Sequence, residues 1–271
     1  MKPDTDRLEK FHLEKWYLDC ITDEGEAMIF YAAKLVWHRF EVQYTSWLHH
    51  EPVKGVTNKS RLGQVQFPVQ SDGSLAWSDS RLGISGRWET LAKPIGCRLF
   101  ESEEGYIDWN CCQPAASAHL EINKRIIDGA GYAEQLIVTL PPWKLNLEKL
   151  QWGRYALPGQ NMVWIQWKTN SEMKWTWLNG ELINESLVDD DLIRLPGKGI
   201  RLYTDRGVIL ESEKRVKNLM AKFIRYLPGI DKSMTLKFFM ADETKWLSRS
   251  KLEKDGEMIN LGWTIHELVT F

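Results

Sequence analysis

The sequence predicts an almost entirely β chain in two consecutive domains, and three observations predict it. Short segments of alternating apolar and polar residues follow one another, punctuated by turns such as Asp72-Gly73, Asp79-Ser80 and Lys93-Pro94. No strand is followed by a helix long enough for a parallel crossover, so the spacing is that of an antiparallel meander. A faint internal repeat is the third observation. Trp16, a turn and then Gly25 to Lys34 (GEAMIFYAAK) match Trp152, a turn and then Gly159 to Lys168 (GQNMVWIQWK), with glycine, methionine and lysine in register. The expected domains are residues 1–128 and 129–271, with the boundary at Ile126 to Gly131.

Residues 1–10 read as a charged, solvated arm, and Glu14 to Asp19 opens the ordered part. Ala27 to Trp37 and Phe40 to Trp47 are predicted strands, followed by a loop rich in Gly, Asn, Lys and Ser to about Leu62. Short strands are expected at 63–70, 75–78, 82–91 and 95–101. A further pair is expected at Tyr106 to Asn110 and Ala115 to Ile122, broken by Cys111-Cys112-Gln113-Pro114. In the second half the strands fall near 132–140, 149–157, 162–169, 174–178, 181–184, 191–194, 199–205 and 207–212. Arg215 to Tyr226 is the one helix-like run, with Val216, Leu219, Met220 and Phe223 along one side before Pro228-Gly229. Strands at 233–241, 245–252 and 257–270 close the chain.

At 271 residues and 31.6 kDa the chain has room for a large core. A formal charge of -2 and a pI near 6.3 argue against an electrostatic nucleic-acid partner. No stretch has the length to cross a bilayer, and the N-terminus lacks the apolar run of a secretion signal, so a cytoplasmic location is expected. Cys20, Cys97, Cys111 and Cys112 form no disulfide framework and lack zinc-ligand spacing, so reduced thiols and no metal are expected. Neither a dinucleotide loop nor a Walker loop is present, so no cofactor is expected. The unusual number is 14 tryptophans. Tryptophan suits a surface that is apolar yet partly open, such as a barrel or cleft lined with rings, and it equally suits a sheet with bulky core layers.

The chemistry-bearing groups sit among those rings. Alternation from Gly131 puts Tyr132, Glu134, Leu136, Val138 and Leu140 on one face, where a bare carboxylate is costly. Arg154, sharing a face with Trp152, is the candidate partner on sign; the two are either a structural pair or ligand-facing. Trp143 stands at the Pro-Pro-Trp corner, and Trp164 on the strand that follows. Tyr17 and Asp19 oppose Trp16 and Leu18, Trp109 lies between Asp108 and Asn110, and Gly262, Thr264 and His266 share a face. Asp19, Glu134 and His266 are the candidates for proton transfer, with tyrosine and tryptophan faces able to stabilise a developing cation. The plainer reading of His266, and equally of Glu267, is a hydrogen-bonded residue of the last strand.

The stretches Trp16-Tyr17-Leu18-Asp19, Gly131-Tyr132-Ala133-Glu134, Trp152-Gly153-Arg154 and Gly262-Trp263-Thr264-Ile265-His266-Glu267 resemble the lipocalin-like superfamily. That group comprises carotenoid 1,2-hydratases (hydroxyneurosporene synthases), AttH-like proteins, tocopherol cyclases and related fungal pericyclases. The resemblance implies two consecutive calycin-type antiparallel barrels or half-barrels with one short helix in the second. It further implies an apolar prenyl, polyene or lipid-like ligand in an aromatic-lined pocket, and cofactor-free acid-assisted hydration, cyclisation or isomerisation. Glu134, Trp152 and Arg154 match its signature by position. A non-catalytic carrier and a carbohydrate-binding β protein remain as alternatives, and the sequence does not decide whether there is turnover.

Overall fold

Why the chain folds twice in the same way follows from its hairpins. The computed structural model describes residues 11–157, 159–212 and 241–271. The expected arm 1–10, the helix Arg215 to Tyr226 and, apart from Ala241, the strand 233–241 lie outside the described residues. The chain divides into two compact units, Met1–Pro141 and Pro142–Phe271.

The first unit is one antiparallel sheet. Its strands are β1 (Phe11–Ile21), β2 (Ala27–Trp37), β3 (Phe40–Glu51), β4 (Gly55–Leu62), β5 (Val69–Ser71), β6 (Ser74–Asp79), β7 (Ile84–Thr90), β8 (Ile95–Ser102), β9 (Gly105–Ile122) and β10 (Arg125–Val138). They lie in the order β4-β3-β2-β1-β10-β9-β7-β6-β5, with β8 also on β9. The sheet curls enough for Arg61 on β4 to reach Asp79 at the end of β6, at 2.7 Å. Its concave face is filled by Trp16, Leu18 and Cys20 of β1, Met28 and Phe30 of β2, Trp47, Trp77 and Trp88.

The second unit repeats the plan strand for strand. A 3-10 turn (Pro142–Leu145) leads to β11 (Lys149–Leu157), β12 (Gln160–Lys168), β13 (Glu172–Leu178), β14 (Glu181–Leu182), β15 (Leu187–Val188), β16 (Leu192–Leu195), β17 (Ile200–Tyr203), β18 (Val208–Ser212), β19 (Asp242–Lys254) and β20 (Glu257–Thr270). The order is β14-β13-β12-β11-β20-β19-β17-β16-β15, with β18 on β19. The repeat seen faintly around Gly25 and Gly159 is therefore a repeat of fold. Both glycines hold the hairpin turn at positive φ, 84° and 78°, and Met28 and Met162 both point into their concave faces.

Three expectations differ from the structure. Ile126 to Gly131 is not a boundary but part of β10, because Asn123-Lys124, both at positive φ (50° and 70°), make a tight hairpin turn out of β9. The chain divides at Pro141/Pro142, beyond the end of that strand. The polar stretch 55–62 is an edge strand paired with β3 from Glu51–Gly55 to Tyr44–Leu62; an edge tolerates such polarity, whereas 63–68 carries no strand. Cys111 to Pro114 does not break β9. The strand there changes partner from β8 to β7 through register shifts against β10, and Pro114, lacking an amide proton, sits at that corner. Among the described residues no helix is long and apolar enough to cross a membrane.

Two glycines make room for indoles at the centre of each sheet. A Cβ on Gly131 would stand 2.5 Å from Trp88 Cδ1, and one on Gly153 would overlap the Trp164 ring. Gly131→Ala and Gly153→Ala should each cost about 1–3 kcal/mol through overpacking. Gly197→Ala, with nothing within 4 Å, should melt like the parent. Urea melts of the three variants check this; equal stability in all of them would contradict the packing.

Candidate functional site

Register carries each functional side chain to its place. In the first unit β1 lies between β2 and β10, pairing Tyr17 with Glu134 and Asp19 with Tyr132. Tyr17, Asp19, Tyr132 and Glu134 thus share the face opposite the tryptophan-filled one. Asp19 is wholly buried and accepts a hydrogen bond from Tyr17 OH at 3.0 Å. The Glu134 carboxylate accepts two at 2.6 Å, from Trp109 Nε1 and Tyr132 OH. Tyr17 meets Tyr31 and Tyr132 edge-on, with ring centres 5.5 and 5.9 Å apart. Burial, with Cys111 and Glu134 beside it, pushes the Tyr132 phenol well above its usual range. Burial likewise raises the Cys111 thiol. Five of the residues singled out in the sequence are therefore brought together: Tyr17, Asp19, Trp109, Tyr132 and Glu134. Arg154 and Trp152 stand on β11 of the second unit, and Trp143 is half-buried in the 3-10 turn that opens it.

In the second unit β11 pairs with β20 and β20 with β19, which puts Tyr155, Thr264 and Ser248 in one row and Gly153, His266 and Trp246 in the next. His266 stacks on Trp246 with ring centres 5.2 Å apart, and its Nε2 is 2.8 Å from Ser248 Oγ. Ser248 gives its proton to the Asp205 carbonyl and accepts from Gly207 N at 3.2 Å. Nε2–H must then donate to Ser248, so the serine is a structural bridge and no activated nucleophile. Burial above all, with the Arg206 charge adding, lowers the His266 pKa to about 4 against a hydrogen bond to Asp205. At neutral pH this imidazole is uncharged; it can accept a proton but has none of acid strength to give. Glu267, on the other face, is paired with the buried Lys245.

Two cavities open in this second unit. One, of about 10 Å³, is bounded by Trp164, Thr204, Trp246 and His266 and reaches the Asp190 carboxylate. Asp190 accepts from Lys149 Nζ at 2.6 Å and Gln151 Nε2 at 3.0 Å, and the lysine contact leads in holding it below the usual carboxylate range. The other, of about 230 Å³, lies at the opposite end of the barrel between Leu178, Ile200, Leu252 and Ile259, with Gln160, Asn179, Lys198 and Lys254 around it.

The matching strands of the first unit carry different groups at the corresponding end. Aligning Met28 with Met162 puts Glu26 where Gln160 stands and His49 where Leu178 stands. Glu26 accepts from His49 Nε2 at 2.6 Å and from both Arg125 terminal nitrogens at 2.7 and 2.6 Å. Burial alone would raise the Glu26 pKa, but the Arg125 and His49 contacts outweigh it and lower the value. A three-residue clamp thus spans the end that corresponds to the second unit's larger cavity. Deeper inside, Cys20, Ala116, Ala118, Gly131 and Ala133 seat Trp88, whose Nε1 donates to the Asp19 carbonyl at 2.7 Å. The matching positions of the second unit are Tyr155, Ser248, Ser250, Thr264 and His266.

Sequence reasoning missed Tyr155, Ser248, Ser250, Lys245 and the Glu26–His49–Arg125 clamp. Ser248 and Ser250, alternating between Trp246 and Leu252 on one face of their strand, were the available signal. All four cysteines are thiols, Cys111 and Cys112 facing opposite sides of β9. Among the described residues no group of three His, Cys, Asp or Glu has the placing to hold a metal ion.

No family model matches the chain, and no curated protein sequence matches it. Solved structures do. An AttH from Nitrosomonas europaea superposes with a TM-score of 0.58 at 10% identity, covering 95% of this chain and 92% of that one. CghA with Sch210972 gives 0.54 at 12% identity over 96% and 89%. Kievitone hydratase from Nectria haematococca gives 0.52 at 11% identity over 95% and 88%. At such identities the likeness shows the fold, and the resemblance to the lipocalin-like superfamily holds at that level.

Two predictions come from this geometry. Glu134→Ala removes the acceptor that Trp109 Nε1 and Tyr132 OH share, at about 1–3 kcal/mol for each hydrogen bond lost, whereas Glu134→Gln keeps an acceptor oxygen and should cost less than half as much. Chemical denaturation of both variants reads the difference. For His266 the folded pKa, about 4, lies below an unfolded value of about 6.5. Its contribution is complete above about pH 6.5 and is lost as pH falls towards 4, by on the order of 3 kcal/mol. His266→Gln should therefore flatten the loss of stability between pH 7 and 4.5, measured as the wild-type-minus-variant difference; identical pH slopes would contradict the buried neutral imidazole.

Proposed function

We propose that this chain binds an apolar small molecule of prenyl, polyene or lipid type in the barrel of its second unit. The observation that carries the reading is the contrast between two copies of one fold. In the first, Trp88 occupies the centre and the Glu26–His49–Arg125 clamp spans one end, while the second keeps a cavity of about 230 Å³ between Leu178, Ile200, Leu252 and Ile259, with Gln160, Asn179, Lys198 and Lys254 around it. Concave, mostly apolar walls with a few polar groups are the usual form of a small-molecule site. Similar architecture accommodates a small molecule in CghA, which has been crystallised with Sch210972.

A catalytic reading is favoured by one specific observation, the wholly buried Asp19 and the twice hydrogen-bonded Glu134 among Tyr17, Trp109 and Tyr132. Under it the ligand meets that face of the first unit and not the second barrel, and the protein hydrates, cyclises or isomerises it without a cofactor. The carboxylates would move the proton and the rings stabilise positive charge on carbon. Kievitone hydratase, a hydratase by name, supports the compatibility of this fold with water addition.

Binding is tested by titrating the protein with an apolar fluorescent probe and competing it with isoprenoid alcohols and polyenes. Leu178→Trp should weaken probe binding tenfold or more while the Tm stays within the parent's range. Unchanged binding would move the site elsewhere. Turnover is tested in D2O, where ligand carbon should gain deuterium with the parent and none with Glu134→Gln.

A further inference from the structure

The concave face of the second unit holds a group of hydroxyls that no described residue satisfies. Tyr155 OH, Ser250 Oγ and Thr264 Oγ1 are buried and accept or donate no hydrogen bond, although their residues are at most 1% exposed. They share one face by register: Thr264 is opposite Tyr155, and Ser250 is opposite Gly262, where a Cβ would stand 2.6 Å from the Tyr155 ring. Leaving a buried hydroxyl unmatched is costly, and three of them gathered on one face call for a partner.

Their place along the barrel gives them a use. Ser250 is two residues from Leu252 on β19, and Tyr155 is two from Leu157, which pairs with Gln160; Leu252 and Gln160 both line the larger cavity. In the other direction Ser248 and His266 lead to the smaller one. The hydroxyls therefore lie between the two. Burial raises the Tyr155 phenol to about 12, so it stays protonated and able to donate. In the first unit the matching positions are Cys20, Ala118 and Gly131, which bear no hydroxyl and pack against Trp88 or its neighbours.

We infer that the ligand carries an uncharged oxygen, a hydroxyl or carbonyl group, which enters first and is held by Tyr155, Ser250 and Thr264 while its hydrocarbon part fills the cavity behind. This rests on the binding reading above and narrows it from an apolar molecule to an alcohol, aldehyde or ketone. A cavity of about 230 Å³ takes about eight groups of water size at about 30 Å³ each, so an eight-carbon chain is a fitting probe. A bare hydrocarbon would leave the three hydroxyls unmatched, and a carboxylate would bring an unpaired charge into the barrel.

The experiment measures displacement of an apolar fluorescent probe by octane, octanol, 2-octanone and octanoate, with the parent and with Tyr155→Phe, Ser250→Ala and Thr264→Val. Octanol or octanone should bind at least tenfold more tightly than octane and octanoate. Each substitution should narrow that preference at least threefold while leaving octane unchanged and the Tm equal to or above the parent's. Equal affinity for octane and octanol would overturn the inference and leave the binding reading standing. Failure of every ligand, octane included, would sink the binding reading itself. Variants that lose stability yet keep the alcohol preference would show that the hydroxyls hold structural water, which also overturns the inference.

Discussion

The pairing of each unit's first strand with its last is the interaction on which the rest depends. β1 lies against β10, and β11 against β20, so residues more than a hundred positions apart become cross-strand neighbours. That pairing turns a meander into a curled sheet with a concave face to fill, and a curled sheet must fill it or leave it open. It also decides which groups can meet. Glu134 stands beside Tyr17 because of it, and Thr264 beside Tyr155.

The two units answer the filling problem in opposite ways from one plan. Small residues at 20, 116, 118, 131 and 133 let an indole occupy the middle of the first, and its ring nitrogen finds a backbone carbonyl, as a buried tryptophan requires. In the second unit the same positions carry oxygen or nitrogen, and no indole replaces Trp88: the residue that follows β17, in line with it, is Thr204. An indole packs the centre of the first copy, and hydroxyls with an imidazole stand at the matching positions of the second.

Much of the fold was legible because alternation is a local property. Ala27 to Trp37 and Gln160 to Lys168 show their period within ten residues, and the shared Gly, Met and Lys disclosed the duplication. The polar edge strand 55–62 was not legible, since its pairing with β3, and not its own pattern, makes it a strand. The candidate site was half legible. Tyr132 and Glu134 fall on one row by alternation alone, and the tryptophan excess announced rings nearby. What surrounds them depends on register: Trp109 reaches Glu134 only because β9 bulges beside β10. Likewise nothing around Ser250 says that its neighbours across the sheet lack a partner for it.

The closure of each sheet by its terminal strands also sets how the chain can come to its native state. β10 cannot add to β1 until residue 138 has been made, so the first unit is dominated by distant contacts and belongs among slow-folding topologies. Yet among the described residues none of its strands comes from beyond Pro141, and the second unit borrows none from before Pro142. During synthesis the first sheet can therefore complete itself while the second is still emerging. With two sheets of one strand order in a single chain, that vectorial order keeps β1 from pairing with β20 in place of β10.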